Sequence, residues 1–189
     1  MTAASGVFGA LDAADAAQVR EYERHFYLAY ARLADNKLVR LIWDWDDPGQ
    51  RLRTRIPYGD QVVYSARDKR GRLAAAMAVN LSVPAEFQAG AFGFAPGGRP
   101  GGKYCEILNV MTTEHHKATA RSAYGAFVRD FGYQDLMNRG FEAAYSTCTR
   151  RRLRPYLRLG ARVLADTAIG GEERFFLLWP IRELAAAAG

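Results

Sequence analysis

Between Asp12 and Ala34, apolar side chains at Val19, Tyr22, Phe26, Tyr30 and Leu33 recur at three- and four-residue steps. That spacing predicts a helix with one apolar face. Asp12 and Asp15 stand where an N-cap is wanted, and acidic residues fall early, where the helix dipole favours them. Lys37 to Trp45 is a second apolar segment whose pattern leaves helix and strand open. It closes at Asp46-Asp47-Pro48-Gly49, a strong turn signal. Gln61 to Arg67, rich in Val and Tyr, and Leu73 to Val83, continuously apolar, predict a pair of strands. Asp68-Lys69-Arg70-Gly71 between them reads as a hairpin turn with Gly71 at positive φ.

From 86 to 102 the chain turns Gly-, Pro- and Phe-rich, which predicts a mobile loop without regular packing. Tyr104 to Met111 reads as a third strand. Lys117 to Arg139 reads as a long helix with Ala123, Phe127, Phe131 and Met137 on its apolar face, stopped at Gly140. Ala143 to Thr149 is a short strand, and Arg150 to Leu159 a short basic helix ended by Gly160. Arg162 to Ile169 and Arg174 to Ile181 form a closing hairpin around Gly170-Gly171. The Ala-rich tail after Glu183 is expected to fray. The order predicts an α/β chain with a mixed sheet, organised as one domain over residues 1–189 with a helical segment at 12–36.

Composition narrows the class. At 189 residues, 49% hydrophobic and 24% charged, the chain is not wholesale disordered or fibrous. No apolar run approaches the roughly 18 residues needed to span a bilayer, and Met1 to Ala10 lacks a secretory pattern. Cys105 and Cys148 give neither a disulfide framework nor a zinc spacing. A cytoplasmic location is expected. The balance of 26 Lys+Arg against 20 Asp+Glu, a formal +6, favours an acidic partner: nucleic acid, an anionic carrier protein or a phosphorylated cofactor. An arginine-rich genome accounts for the surplus equally well.

Tyr156-Leu157-Arg158-Leu159-Gly160-Ala161, placed between a short strand and the final hairpin, resembles the Tyr-x-Lys/Arg-x-Gly-Phe segment of the GNAT (Gcn5-related N-acetyltransferase) superfamily. After the third strand, Met111 to Arg121 has no glycine where ordinary members carry Arg/Gln-x-x-Gly-x-Gly/Ala to wrap a CoA pyrophosphate. That loss is similar to the branch of acyl-homoserine-lactone synthases and long-chain N-acyl amino acid synthases. Their strand motif Glu-x-x-Arg-Phe corresponds to Glu106-Ile107-Leu108-Asn109-Val110, where Glu106 matches and Asn109 and Val110 do not. Arg24, Tyr27 and Tyr30 are loosely similar to that branch's opening helix. The resemblance covers about Gln61 to Ile181. It implies a mixed, mostly antiparallel central sheet flanked by helices, with two central strands splayed apart.

The activity so implied is acyl transfer from an acyl-carrier-protein or acyl-CoA thioester to a small nucleophile, an amine or amino acid. An ordinary acetyl-CoA-dependent N-acetyltransferase and a catalytically silent module binding an acidic partner are the alternatives. The phosphopantetheine thioester is then a co-substrate, and no permanently bound cofactor, metal or nucleic acid is expected. Glu106, on a strand between apolar neighbours, is a candidate general base, or else pairs with an arginine of the basic helix. Tyr156 is a candidate general acid for the leaving thiolate, or else an aromatic packed on the strand beneath. Asn109, Val110 and Met111 are candidates for the acyl site, where a bulged strand would offer a backbone N–H to the oxyanion.

Trp43 and Trp45, with Asp44, Asp46 and Asp47, can hold a cationic amine, or simply enter an acidic turn. Phe87, Phe92 and Phe94 can fold over an acyl chain, or simply staple their loop to the body. His115, His116, Lys117 and Arg121 are candidates for donor phosphate; adjacent histidines point apart and argue against a metal. Arg150, Arg151 and Arg154, with Arg152 and Arg158, form a candidate dock for an acidic carrier protein. Cys148 reads as a small buried hydrophobe.

Overall fold

The computed structural model describes residues 7–33, 37–98, 100–113 and 127–186. Helix α1 runs Ala16–Tyr30, and its first turn is capped by Asp15, whose carboxylate accepts from the backbone N–H groups of Ala17 and Gln18. It buries Tyr22, Glu23 and Phe26. The segment of undecided type is both things in turn: α2 (Lys37–Ile42) followed directly by β2 (Trp43–Asp46). β2 pairs antiparallel with β3 (Arg51–Thr54) in a small separate sheet.

The main sheet has seven strands: β1 (Val7–Ala10), β4 (Gln61–Arg67), β5 (Leu73–Asn80), β6 (Tyr104–Thr112), β7 (Ala143–Thr149), β8 (Arg162–Ile169) and β9 (Glu172–Trp179). Their order is β1-β4-β5-β6-β7-β9-β8. Every pair is antiparallel except β6 with β7. A parallel pair needs a crossover, and its described part is a π-helical stretch, Phe127–Tyr133, running into α3 (Gln134–Asn138). The sheet is therefore mixed and mostly antiparallel, as expected. β1 and β3 were not foreseen; four residues each, they carry too short a pattern to stand out.

Alternation along the strands sends side chains into two core layers. On one face Met77, Cys105, Ile107 and Leu177 meet Phe127, Leu136, Tyr156 and Ile181. On the other, Val63, Ala76, Leu108 and Met111 meet Tyr22, Phe26, Leu52 and Trp43. Basic helix α4 (Arg150–Arg158) lies on the first face and is followed by Gly160 at φ 97°. The hairpin turn holds Gly71 at φ 75°, the left-handed region its sequence position required.

Two expectations need correction. The Gly/Pro/Phe-rich stretch does pack: Gln88–Phe92 forms a 3-10 turn, and Phe94 stacks on Phe176 with ring centroids 4.9 Å apart. Its aromatic rings offset the poor regularity of its backbone. The Ala-rich tail does not fray at once, because α5 (Ile181–Ala186) buries Ile181 and Ala185. No helix among the described residues is long and apolar enough to cross a membrane.

Candidate active site

Pairing between β6 and β7 covers only three positions, Tyr104 with Ala143, Cys105 with Ala144 and Glu106 with Tyr145. Beyond them β6 continues alongside β5, and β7 alongside β9. A bulge in β6 marks the parting: Val79 faces Ile107, Ala78 faces Asn109, and Leu108 is the extra residue. A bulge bends its strand and sharpens the local twist. The two central strands therefore form a wedge. Past Glu106, the edge of β6 that faces β7 has no strand to bond to.

Glu106 sits at the closed end. It is 2% exposed. Its carboxylate accepts from the backbone N–H of Gln88 at 2.8 Å, that of Ala89 at 2.7 Å and the Asn80 side-chain amide at 3.4 Å. Burial pushes this carboxyl up to about 7, although the three donors pull it the other way. The Gln88 it fixes accepts a 2.7 Å hydrogen bond from the Trp43 indole. Glu106 thus ties the 3-10 turn to the sheet and, through it, β2 to the wall of the opening.

The open end is a cleft that is in part open to solvent. β6 lines it with Ile107, Leu108 and Asn109, β7 with Ser146 to Thr149, α4 with Arg152 and Tyr156, and β9 with Arg174. Tyr30, Val39, Ile42, Trp43 and Gln88 close the other side. The Tyr156 ring meets the Trp179 ring edge-on at 5.2 Å. Cys148 lies here as well, and burial pushes its thiol up to about 12, which keeps it a neutral wall residue.

No protein-family model and no curated protein matches this sequence. Solved structures do. TofI, solved in a ternary complex with an inhibitor and MTA, superimposes with a TM-score of 0.67 at 14% identity, over 97% of this chain and 95% of that one. BjaI, a CoA-dependent acyl-homoserine lactone synthase solved with SAM and isopentyl-CoA, gives 0.72 at 11% identity, over 97% and 88%. An acetyltransferase from Corynebacterium glutamicum, related to histone acetyltransferase HPA2, gives 0.59 at 18% identity, over 93% and 96%. The chain has the GNAT fold.

Within this GNAT fold, the residues singled out from sequence divide. Tyr156, Asn109 and Trp43 converge on the cleft. Glu106 is not among the residues lining it, and both its carboxylate oxygens accept from N–H donors of the neighbouring turn. Val110 and Met111 are buried in opposite core layers, and the bulge lies at Leu108, just before them. Trp45 packs away from the cleft, under the Arg40 guanidinium at 4.2 Å. The acidic turn beside it already holds its cations, since Asp47 pairs with Arg40 and Asp44 with Arg53 and Arg55. Arg150 is engaged too, forking onto Glu173, while Arg151 and Arg154 are exposed. His115, His116, Lys117 and Arg121 lie outside the described residues.

Of the polar cleft residues, Gln88, Thr149 and Arg174 went unnoticed in the sequence, and Arg152, read there as part of a carrier dock, turns into the cleft. Arg174 is the telling one. It is 4% exposed, lies 5.0 Å over the Phe92 ring, and gives one Nη hydrogen bond to Glu172. An arginine at an inward position of an otherwise apolar strand, Phe175-Phe176-Leu177-Leu178, was the signal available.

Proposed function

We propose that this chain is an acyltransferase that moves an acyl group from an acyl-CoA or acyl-carrier-protein thioester to the amine of a small acceptor. The parting of β6 and β7 after Glu106 is the observation that carries this reading. A pantetheine arm is a slim chain bearing amides, and the unpaired edge of β6 offers it the hydrogen bonds a strand would otherwise take. Laid there, its thioester faces an acceptor entering from the Trp43 side, and such juxtaposition alone lowers a bimolecular barrier by several kcal/mol.

The amine nitrogen attacks the thioester carbonyl, the C–N bond forms, and the C–S bond breaks. Tyr156 hands its phenolic proton to the departing thiolate and regains one, through water, from the nitrogen. An N–H at the Leu108 bulge is the oxyanion donor this geometry favours. Exposed Arg151 and Arg154 present positive charge beside the opening, which suits an acidic carrier protein. Names among the similar structures agree with this chemistry, and BjaI's SAM makes that compound one acceptor to try.

Intact-mass monitoring of acyl-CoA and acyl-carrier-protein with a panel of amines, amino acids and SAM tests the proposal. Acceptor-dependent thioester loss is expected, and Tyr156→Phe lowers its rate about tenfold or more, the usual acid–base contribution. No loss of either thioester with any acceptor overturns the reading. With carrier protein as donor, Arg151→Glu with Arg154→Glu raises the donor KM severalfold while leaving that for acyl-CoA as it was; equal KM values assign the donor to CoA.

A further inference from the structure

Among the described residues, four tyrosines are buried to 2% exposure or less: Tyr22, Tyr64, Tyr133 and Tyr145. Three of their hydroxyls are bonded. Tyr22 accepts from the Asn109 amide at 2.9 Å, Tyr64 donates to Asp135 at 2.6 Å, and Tyr145 donates to the Gly97 carbonyl. The Tyr133 hydroxyl has no hydrogen-bond partner among the described residues. A buried donor left unmade costs more than a made bond returns, and phenylalanine fills the same layer at Phe127 and Phe141 without that cost. An unspent phenol in such a place calls for a use.

Tyr133 ends the π-helical stretch, a wide-turned geometry that recurs at functional sites. Its backbone is well fixed there. Gln134 donates its side-chain amide to the Ala185 carbonyl at 3.0 Å, and Gly132 lies so close to Met77 that a Cβ would meet the methionine's terminal carbon. The Tyr133 ring leans on the Trp179 indole at 6.2 Å, and the Tyr156 ring meets that same indole at 5.2 Å. Ser146 holds the indole in turn. Two phenols therefore share one support in one core layer; Tyr156 lines the cleft and Tyr133 stands outside it. Burial above all, and then the neighbouring Tyr156 phenol, hold the Tyr133 hydroxyl well above the usual phenol range, so it keeps its proton and can donate. The other groups facing it are Arg129 from its own stretch and Cys105 from β6, whose thiol is itself kept neutral by burial.

We propose that Tyr133 is a positioning residue for acyl transfer: its hydroxyl donates to the Tyr156 oxygen as that phenol passes its proton to the departing thiolate. While Tyr156 keeps its proton, the Tyr133 donor stays uncommitted. As the Tyr156 O–H bond breaks, negative charge collects on its oxygen, and a charge-assisted bond from Tyr133 forms in a buried setting. That bond is stronger in the transition state than before it, which is the condition for raising kcat. Tyr133 keeps its own proton throughout, and Tyr156 regains one from the nitrogen. The inference rests on the acyltransferase reading and on the role of Tyr156 within it.

The first test needs no turnover. In the full chain labelled with 3-fluorotyrosine, the fluorine resonance lost in Tyr156→Phe reports the ionisation of that phenol as pH is raised. Tyr133→Phe removes one oxygen that bonds nothing, so it folds at least as stably. It lowers the Tyr156 ionisation constant about tenfold, the scale of a charge-assisted bond. An unchanged Tyr156 titration overturns the proposal. Tyr133→Met, read the same way, decides if Tyr133→Phe does not fold. Turnover supplies the second test. With acyl-CoA or acyl-carrier-protein, Tyr133→Phe lowers kcat about tenfold at unchanged KM, and adds nothing in a Tyr156→Phe background. With an aryl thioester, whose thiolate leaves without a proton, the loss disappears. Losses that multiply in the double variant, or persist with the aryl thioester, overturn the role and leave the acyltransferase standing. A shifted Tyr156 titration in a chain that consumes no thioester keeps the phenol pair and removes the acyltransferase.

Discussion

The two ends of the β6–β7 pair are built on opposite principles. At the closed end the strands bond to each other, and Glu106 satisfies the N–H groups of Gln88 and Ala89. Beside it Asn80 bonds Glu86 and Ser82; just past the last pair, Ser146 Oγ still accepts from the buried Trp179 indole at 2.8 Å. A few residues along, Asn109, Thr149 and Arg174 keep atoms unbonded in an equally buried setting. Rigidity is concentrated where the wedge is hinged, and unspent hydrogen-bonding capacity where it opens. Such an open end is stable only because the closed end holds it.

Breaking the closed end gives the largest effect. Glu106→Ala leaves two buried backbone N–H groups without acceptors and lowers unfolding free energy by about 3 kcal/mol at pH 6, read from urea unfolding, with faster proteolysis within 86–102. A stability loss below about 0.5 kcal/mol would show the clamp to be idle.

The pH dependence comes next. Because the Glu106 carboxyl is raised to about 7 in the folded chain from an ordinary value near 4.3 in the unfolded one, the folded state binds more protons between those limits. Its contribution is present below the unfolded value and is lost as pH rises through about 7, which amounts to about 2 kcal/mol between pH 5 and 7.5. The difference between the wild-type and Glu106→Gln stability profiles isolates it. A difference that is flat, or rises with pH, refutes the assignment.

The smallest effect sharpens the contrast most. On one strand, β7, Ser146→Ala strands the Trp179 N–H and costs about 1 kcal/mol, whereas Thr149→Val removes a hydroxyl that bonds nothing and costs about zero or stabilises slightly. Equal losses at both positions in thermal melts would erase the distinction between the bonded and the unbonded position.

Much of the frame was legible in local pattern. Helix α1 with its Asp15 cap, the hairpin around Gly71, strand Ala143–Thr149 and the Arg162–Ile169 strand all follow from spacing, β-branching and turn chemistry acting over a few residues. β1 and β3 were not, because four residues carry too short a pattern, and β1 takes its partner, β4, from far along the chain. The packed 88–92 turn escaped for a like reason. Its anchor is a carboxylate eighteen residues away, and local composition speaks only of loops. Of the site, Tyr156 and Asn109 were found through motif position, and Arg174 was hidden in a strand whose inward face only the sheet order reveals.

By itself the sequence determined most of the alternation of helices and strands and the mixed sheet, since periodicity and turn residues act locally, while the Tyr156 to Ala161 segment carried the resemblance to the GNAT superfamily. Tertiary structure alone decided that Glu106 holds the N–H groups of the 88–92 turn, and that Trp43 and Trp45 part company. It also brought three unbonded polar groups from β6, β7 and β9 to one cleft. A carboxylate's role depends on which donors fold against it, and no spacing along the chain encodes contacts made across a sheet.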